Sequence, residues 1–132
     1  MASILIVDDD DSFRRMLRIT LGRLGHSVTE ARNGKEGLAS LGHATPDLMI
    51  LDLVMPEKEG FEVLKEIRSR IPPVKVLAIS GGSRIGTADN LHMAKLMGAA
   101  KVLAKPFSDG VLLATINGLL ESGTETTPKK GE

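Results

Sequence analysis

Ile4-Leu5-Ile6-Val7-Asp8-Asp9-Asp10-Asp11 sets four apolar residues directly against four acids. The apolar run is short, unbroken and rich in β-branched side chains. That is the signature of a strand buried on both faces, as in a parallel sheet covered by helices. The acids crowd together where the strand ends. Like charges this close disfavour each other's ionisation unless something positive answers them. A helix begins near Asp11 or Ser12, and the dipole and free N–H groups of a helix start stabilise acids. Asp10 and Asp11 are therefore read as capping residues. Asp8 and Asp9 fall at the strand's carboxyl end, the edge at which open α/β sheets bind ligands. The stretch thus predicts a parallel sheet and points to a divalent cation at its edge.

Outward from this stretch, strand-like and helix-like segments alternate. Apolar residues recur at helical spacing from Phe13 through Leu17 and Leu21 to Leu24, and Gly25 provides a stop. Residues 27–30 form a weak, outer strand and residues 34–41 a short helix. Leu48-Met49-Ile50-Leu51 is a second fully apolar strand after the turn signal Thr45-Pro46-Asp47. Residues 61–71 are helical, with Leu64, Ile67 and Ile71 on one face and Pro72-Pro73 as terminator. Residues 74–79 and 101–104 are further apolar strands. Helices are expected over 87–97, ending at Gly98, and over 108–120. The pattern predicts a (βα)5 doubly wound α/β domain over residues 1–122. The polar segment 123–132 reads as a flexible tail.

Composition narrows the function. The 132 residues carry 17 basic and 17 acidic side chains, with no cysteine, no Trp, no Tyr and three Phe. The zero charge balance argues against an electrostatic grip on nucleic acid or on an anionic membrane. Without cysteine there is no disulfide, thiolate metal site or cysteine nucleophile. Scarce aromatics weaken any case for base stacking. No apolar stretch approaches the roughly 20 residues that span a bilayer, and Met1-Ala2-Ser3 lacks a signal-peptide start. A cytoplasmic location is the expectation. His26, His43 and His92 show no metal-ligand spacing.

Parallel strands end on a common edge, so the residues following each strand are neighbours in space. Asp8 and Asp9 follow the first, Asp52 the strand 48–51, Ser80 the strand 74–79, and Lys105 the last. Each has an ordinary explanation as turn, cap or solvated residue. Their coincidence at every strong strand end points instead to chemistry. Magnesium takes few carboxylates, keeps waters and bridges to phosphate oxygens. Phosphoryl transfer needs positioning and charge neutralisation more than acid–base machinery. A carboxylate can serve as the nucleophile, and Asp52, on a strand expected to be central, is the best placed.

The motifs Val7-Asp8-Asp9, Leu51-Asp52-Leu53-Val54-Met55-Pro56, Ile79-Ser80 and Lys105-Pro106-Phe107 stand in an order and rough spacing that resemble the receiver domain of two-component response regulators, over residues 3 to 120. The resemblance, to the chemotaxis-regulator type of receiver, implies a flavodoxin-like sheet in the order 2-1-3-4-5 and a stand-alone receiver. It implies that Asp52 accepts a phosphoryl group from a histidine kinase or histidine phosphotransfer protein, and that a conformational change alters the binding of an unidentified downstream protein. It assigns Mg2+ to Asp8, Asp9, Asp52 and the backbone carbonyl of Val54. Ser80 and Lys105 would hold the phosphoryl oxygens, and the Lys105–Pro106 bond would be cis. Such a domain is not an enzyme beyond its own phosphorylation and dephosphorylation.

The chain departs from the family's pattern in three places. Val102 stands where the family usually carries an aromatic, three residues before the Lys. Val54 and Gly82 cannot orient an attacking water with a side chain, so the acyl phosphate is not expected to be specially labile. The segment 81–86 is unusually Gly-rich and reads equally as a phosphate-responsive flap or a plain loop. Two surfaces are candidate partner sites: a basic side on the first helix (Arg14, Arg15, Arg18, Arg23), for which a solvated charged face is the simpler reading, and Met93 with Leu96 on the fourth, for which core packing is. The competing reading is an Asp-nucleophile, Mg2+-dependent phosphohydrolase. That family places an acid two residues after its nucleophile, where this chain has Val54. A flavodoxin-like nucleotide binder is disfavoured because no Gly-rich phosphate loop follows the first strand.

Overall fold

A computed structural model describes residues 1–54, 59–70, 73–80 and 87–122. Five parallel strands alternate with five helices. In chain order these are β1 (Ser3–Val7), α1 (Asp11–Arg23), β2 (Ser27–Ala31), α2 (Gly34–Leu41), β3 (Leu48–Asp52), α3 (Glu59–Ile67), β4 (Val76–Ser80), α4 (Thr87–Leu96), β5 (Lys101–Ala104) and α5 (Asp109–Ser122). The sheet order is β2-β1-β3-β4-β5, as the resemblance implied. No described helix is long and apolar enough to cross a membrane.

The period of two along each strand builds two cores, one on each face of the sheet. Ile4 and Ile6 of β1 join Leu48 and Ile50 of β3 on one face, under Leu17 and Leu21 of α1 and Leu112, Ile116 and Leu119 of α5. Leu5 and Val7 join Met49 and Leu51 on the other, under Leu41 of α2, Val63, Leu64 and Ile67 of α3 and Ala94 of α4. The central strands β1, β3 and β4 are apolar except at an end residue (Ser3, Asp52 and Ser80) because both of their faces are covered. The edge strands β2 and β5 are partly exposed. Half-buried Val102 packs against the core under α2, α3 and α4.

Several boundaries differ from expectation, each for a local reason. Asp10 alone is the N-cap of α1: its side chain accepts from the N–H groups of Ser12 and Phe13. Asp11 is instead the first helical residue and pairs with Arg14. Helix α3 ends at Ile67, four residues before the expected Ile71. The Arg68 N–H still reaches Leu64, but the Arg70 N–H turns back to Ile67 in a tighter turn. Ile71 and Pro72 lie outside the described residues, as do the 81–86 segment and the 123–132 tail. Strand β4 starts at Val76 and runs through Ser80, so Ser80 is its last residue rather than the one after it. Gly25 and Gly98 hold φ of 95° and 105° where α1 and α4 turn into the next strands, a region that favours glycine.

Candidate metal and phosphoryl site

Register decides what meets at the carboxyl edge. Val7 pairs with Leu51, so the next step along β1 and β3 brings Asp8 beside Asp52. Asp52 pairs with Ile79, which puts Ser80 one step beyond on β4. Ser80 pairs with Ala104, and the Lys105 N–H then donates to the Ser80 carbonyl at 2.9 Å. Side-chain alternation carries Asp8, Asp52 and Lys105 toward the side covered by α1 and α5.

The carboxylates of Asp8, Asp9 and Asp52 each offer an oxygen within 4.8 Å of the others. Asp8 and Asp52 are only 1% and 4% exposed, while Asp9 is open to solvent. Asp8 Oδ1 accepts from the Asp10 N–H at 2.9 Å, and Asp52 Oδ1 from the Val54 N–H at 3.0 Å. Among the described residues neither Asp8 Oδ2 nor Ser80 Oγ, both buried, has a hydrogen-bond partner. The Lys105 ammonium stands 3.5 Å from Asp8 Oδ2. The Lys105–Pro106 bond is cis, as implied by the resemblance.

Burial here works against charge. Desolvation pushes the Asp52 carboxyl up to about 7, and the neighbouring Asp8 carboxylate adds to the shift. Asp8 is also raised, chiefly by burial, although the Asp10 N–H and the Lys105 ammonium pull the other way. Three acids face one ammonium at close range, leaving an excess of two negative charges when all are ionised. A buried carboxylate oxygen and a buried hydroxyl both lack a hydrogen bond among the described residues, which is costly unless a ligand supplies one. A hard divalent cation with oxygen ligands fits this donor set, and Mg2+ is satisfied by few carboxylates.

The backbone around the site leaves little slack. A Cβ on Gly60 would lie 2.4 Å from the Asp52 carbonyl oxygen and 2.5 Å from Leu53 Cα. Only glycine therefore lets the start of α3 lie against the end of β3. Gly60 was not singled out from sequence, where a glycine beside a helix start carries no distinctive mark.

Arg14 corrects the expected basic face of α1. It is 7% exposed and not part of a solvated side. Its Nη1 donates to the Asp8 carbonyl at 2.7 Å and its Nε to Glu30 Oε1 at 3.0 Å, while Nη2 pairs with Asp11. One guanidinium thus ties the end of β1 to β2 and to the start of α1. Its spacing to Leu17 and Leu21 (three and seven residues) was the available signal. Leu24, expected on that apolar face, is more than half exposed. On α4, Ala94 is buried and Leu91 half-buried, while Met93 and Leu96 are exposed and not packed in the core, contrary to the simpler reading. Among the described residues, no histidine joins the acidic cluster; His26 instead accepts from the Ala2 N–H.

The chain is similar over residues 4–117 to the response regulator receiver domain family. It is 35% identical to the transcriptional regulatory protein AfsQ1 of Streptomyces coelicolor over 93% of this chain and 53% of that protein. It is 32% identical to the transcriptional regulatory protein ResD of Bacillus subtilis over 94% of this chain and 50% of that protein. The chain thus spans about half the length of these curated relatives. A solved response regulator receiver domain protein from Methanospirillum hungatei superposes with a TM-score of 0.83 at 27% identity, covering 96% of this chain and 99% of that one. The match covers the strands that carry Asp8, Asp9, Asp52 and Ser80 and the turn that carries Lys105. With the sheet order and the acidic edge agreeing, the chain belongs to the response regulator receiver domains of two-component signalling.

Proposed function

We propose that Asp52 is the phosphoacceptor of this receiver. The observation that carries the reading is the buried Asp8–Asp52 pair beside Lys105, with a carboxylate oxygen on Asp8 and a hydroxyl on Ser80 that make no hydrogen bond among the described residues. Asp8, Asp9 and Asp52, with the Val54 carbonyl, would hold Mg2+. When bound, that ion supplies positive charge to phosphoryl oxygens and lets Asp52 ionise at neutral pH. An Asp52 carboxylate oxygen attacks phosphorus in line, forming a P–O bond as the P–N bond of a phosphohistidine donor breaks. The pair of electrons leaves with the imidazole nitrogen. Lys105 and Ser80 take the phosphoryl oxygens. The donor is a histidine kinase or histidine phosphotransfer protein, and the product state alters the binding of a downstream protein.

The test is direct. The protein is incubated with Mg2+ and acetyl phosphate, and its intact mass is measured beside Asp52→Asn. One retained phosphate on the wild type alone is the expected result. Rapid turnover of acetyl phosphate with none retained would instead favour the phosphohydrolase reading. No modification with either acetyl phosphate or a kinase donor would overturn both.

A further inference from the structure

The Lys105 ammonium has a second neighbour besides Asp8. It sits 4.5 Å from the centroid of the Phe13 ring, over its face. That ring meets Phe107 edge-on, with centroids 6.3 Å apart and planes at 65°. Phe107 and Lys105 flank Pro106 in one turn, while Phe13 comes from the first turn of α1. The Phe13 N–H is tied to Asp10 Oδ1 at 3.1 Å, so the ring is anchored by the cap of the helix that borders the acids. Both rings pack against the core beneath α1 and α5.

This arrangement answers a competition within the site. Lys105 is a flexible point charge with three donors. Left to itself beside a buried acid, it would either dock on Asp8 Oδ2 or stretch into water. Docked, it would neutralise the carboxylate oxygen that a divalent cation needs. Stretched out, it would be absent when the phosphoryl group arrives. An aromatic face attracts the cation without cancelling a carboxylate. The ammonium indeed rests 3.5 Å from Asp8 Oδ2 without hydrogen-bonding it.

We infer that Phe13 is a positioning residue for phosphoryl uptake: its ring, braced by Phe107, holds the Lys105 ammonium at the site while leaving Asp8 Oδ2 available to a cation. This rests on the assignment of Asp52 as phosphoacceptor. Phe13 itself touches neither the phosphoryl group nor the metal.

The experiment is a double-mutant cycle on the uptake rate from acetyl phosphate at saturating Mg2+, followed by intact mass for hours so that slow variants are measured. The proteins are wild type, Phe13→Leu, Phe13→Tyr, Lys105→Met and the Phe13→Leu/Lys105→Met pair. Phe13→Leu is expected to slow uptake about fivefold, the size of a partly desolvated cation–π contact. Phe13→Tyr, which keeps the ring face, stays within about twofold of wild type. In the Lys105→Met background Phe13→Leu has no further effect, because the ring acts only through the ammonium.

Equal slowing by Phe13→Leu in both backgrounds would show mere packing and overturn the inference. So would a wild-type rate in Phe13→Leu, or slowing by Phe13→Tyr as large as by Phe13→Leu. A wild-type protein that takes no phosphate removes the Asp52 assignment itself, a different failure. With 4-fluorophenylalanine at the three Phe positions, Lys105→Met should shift the 19F resonance lost in Phe13→Leu and leave that of Phe61 in place. An unmoved Phe13 resonance would also overturn the inference.

Discussion

The acidic run at the start of the chain contains two regions with opposite outcomes. At its helix end, Asp10 accepts two backbone N–H groups and Asp11 pairs with Arg14. At its strand end, Asp8 is buried with an oxygen that makes no hydrogen bond, beside an Asp52 carboxyl raised to about 7. The residues are chemically the same and stand within four positions of one another. Burial and available donors separate them. The first region is satisfied by the fold and stabilises it. The second is answered within the fold only in part, by the Lys105 ammonium 3.5 Å from Asp8 Oδ2; it costs stability and leaves charge for a ligand to answer. Such local cost at a binding edge is how function is commonly accommodated in a stable domain.

The largest test of this contrast is Asp52→Asn. It should abolish phosphate uptake and yet stabilise the metal-free domain at pH 8, on the order of 2 kcal/mol, since it removes a charge held against desolvation. The sign follows from proton uptake. With its folded-state value raised to about 7, Asp52 keeps a proton that the unfolded chain has lost from about pH 4 upward. Metal-free stability should therefore fall as pH rises from about 4 to about 7, then level off. Asp8 is shifted in the same direction and adds to the slope. Thermal midpoints at pH 5 and pH 8 should show the fall in wild type, a smaller fall in Asp52→Asn, and recovery with Mg2+ at pH 8. A wild-type midpoint that rises across this range would break the comparison.

Arg14→Ala should cost about 2 kcal/mol by urea unfolding, because it leaves the buried Asp8 carbonyl without its donor and Glu30 with only the exposed Arg18 as a partner. It also unties β1 from β2 at the site, so Mg2+ affinity should fall with it. Gly60→Ala should cost about 2 kcal/mol, since the added methyl meets backbone that can move only by opening the junction of β3 and α3. At the satisfied end of the run, Asp10→Ala should cost about 1 kcal/mol by urea unfolding, the worth of a helix cap. Smallest of all, the exposed Arg32–Glu36 pair should be silent: Arg32→Ala should leave the unfolding midpoint where it is.

Much of this was legible in the sequence because parallel α/β folds write themselves as buried apolar runs. The strands around Ile4, Leu48, Leu77 and Lys101 stand out by continuity alone, and their common polarity places Asp8, Asp52, Ser80 and Lys105 on one edge. What was not legible depends on contacts across the fold. The inward turn of Arg14 is hidden because an arginine on an otherwise basic helix looks solvated. The proximity of Gly60 to Asp52 needs the packing of α3 on β3. The early end of α3 reflects local hydrogen bonding that a distant Pro-Pro signal does not set. The seat of Lys105 on Phe13 joins residues 92 positions apart, and no periodicity encodes it.

The register of the sheet has one more consequence. Val7 opposite Leu51, Asp52 opposite Ile79 and Ser80 opposite Ala104 are three separate strand alignments, the first set across two crossovers and the others across one each. A slip of one residue in β3 would turn its side chains to the other face. Asp52 would then leave Asp8 even if a sheet still formed. The edge thus proofreads its own assembly: a molecule able to take phosphate at Asp52 has made all three alignments, so phosphate uptake counts correctly built domains where spectroscopic helix and strand content cannot.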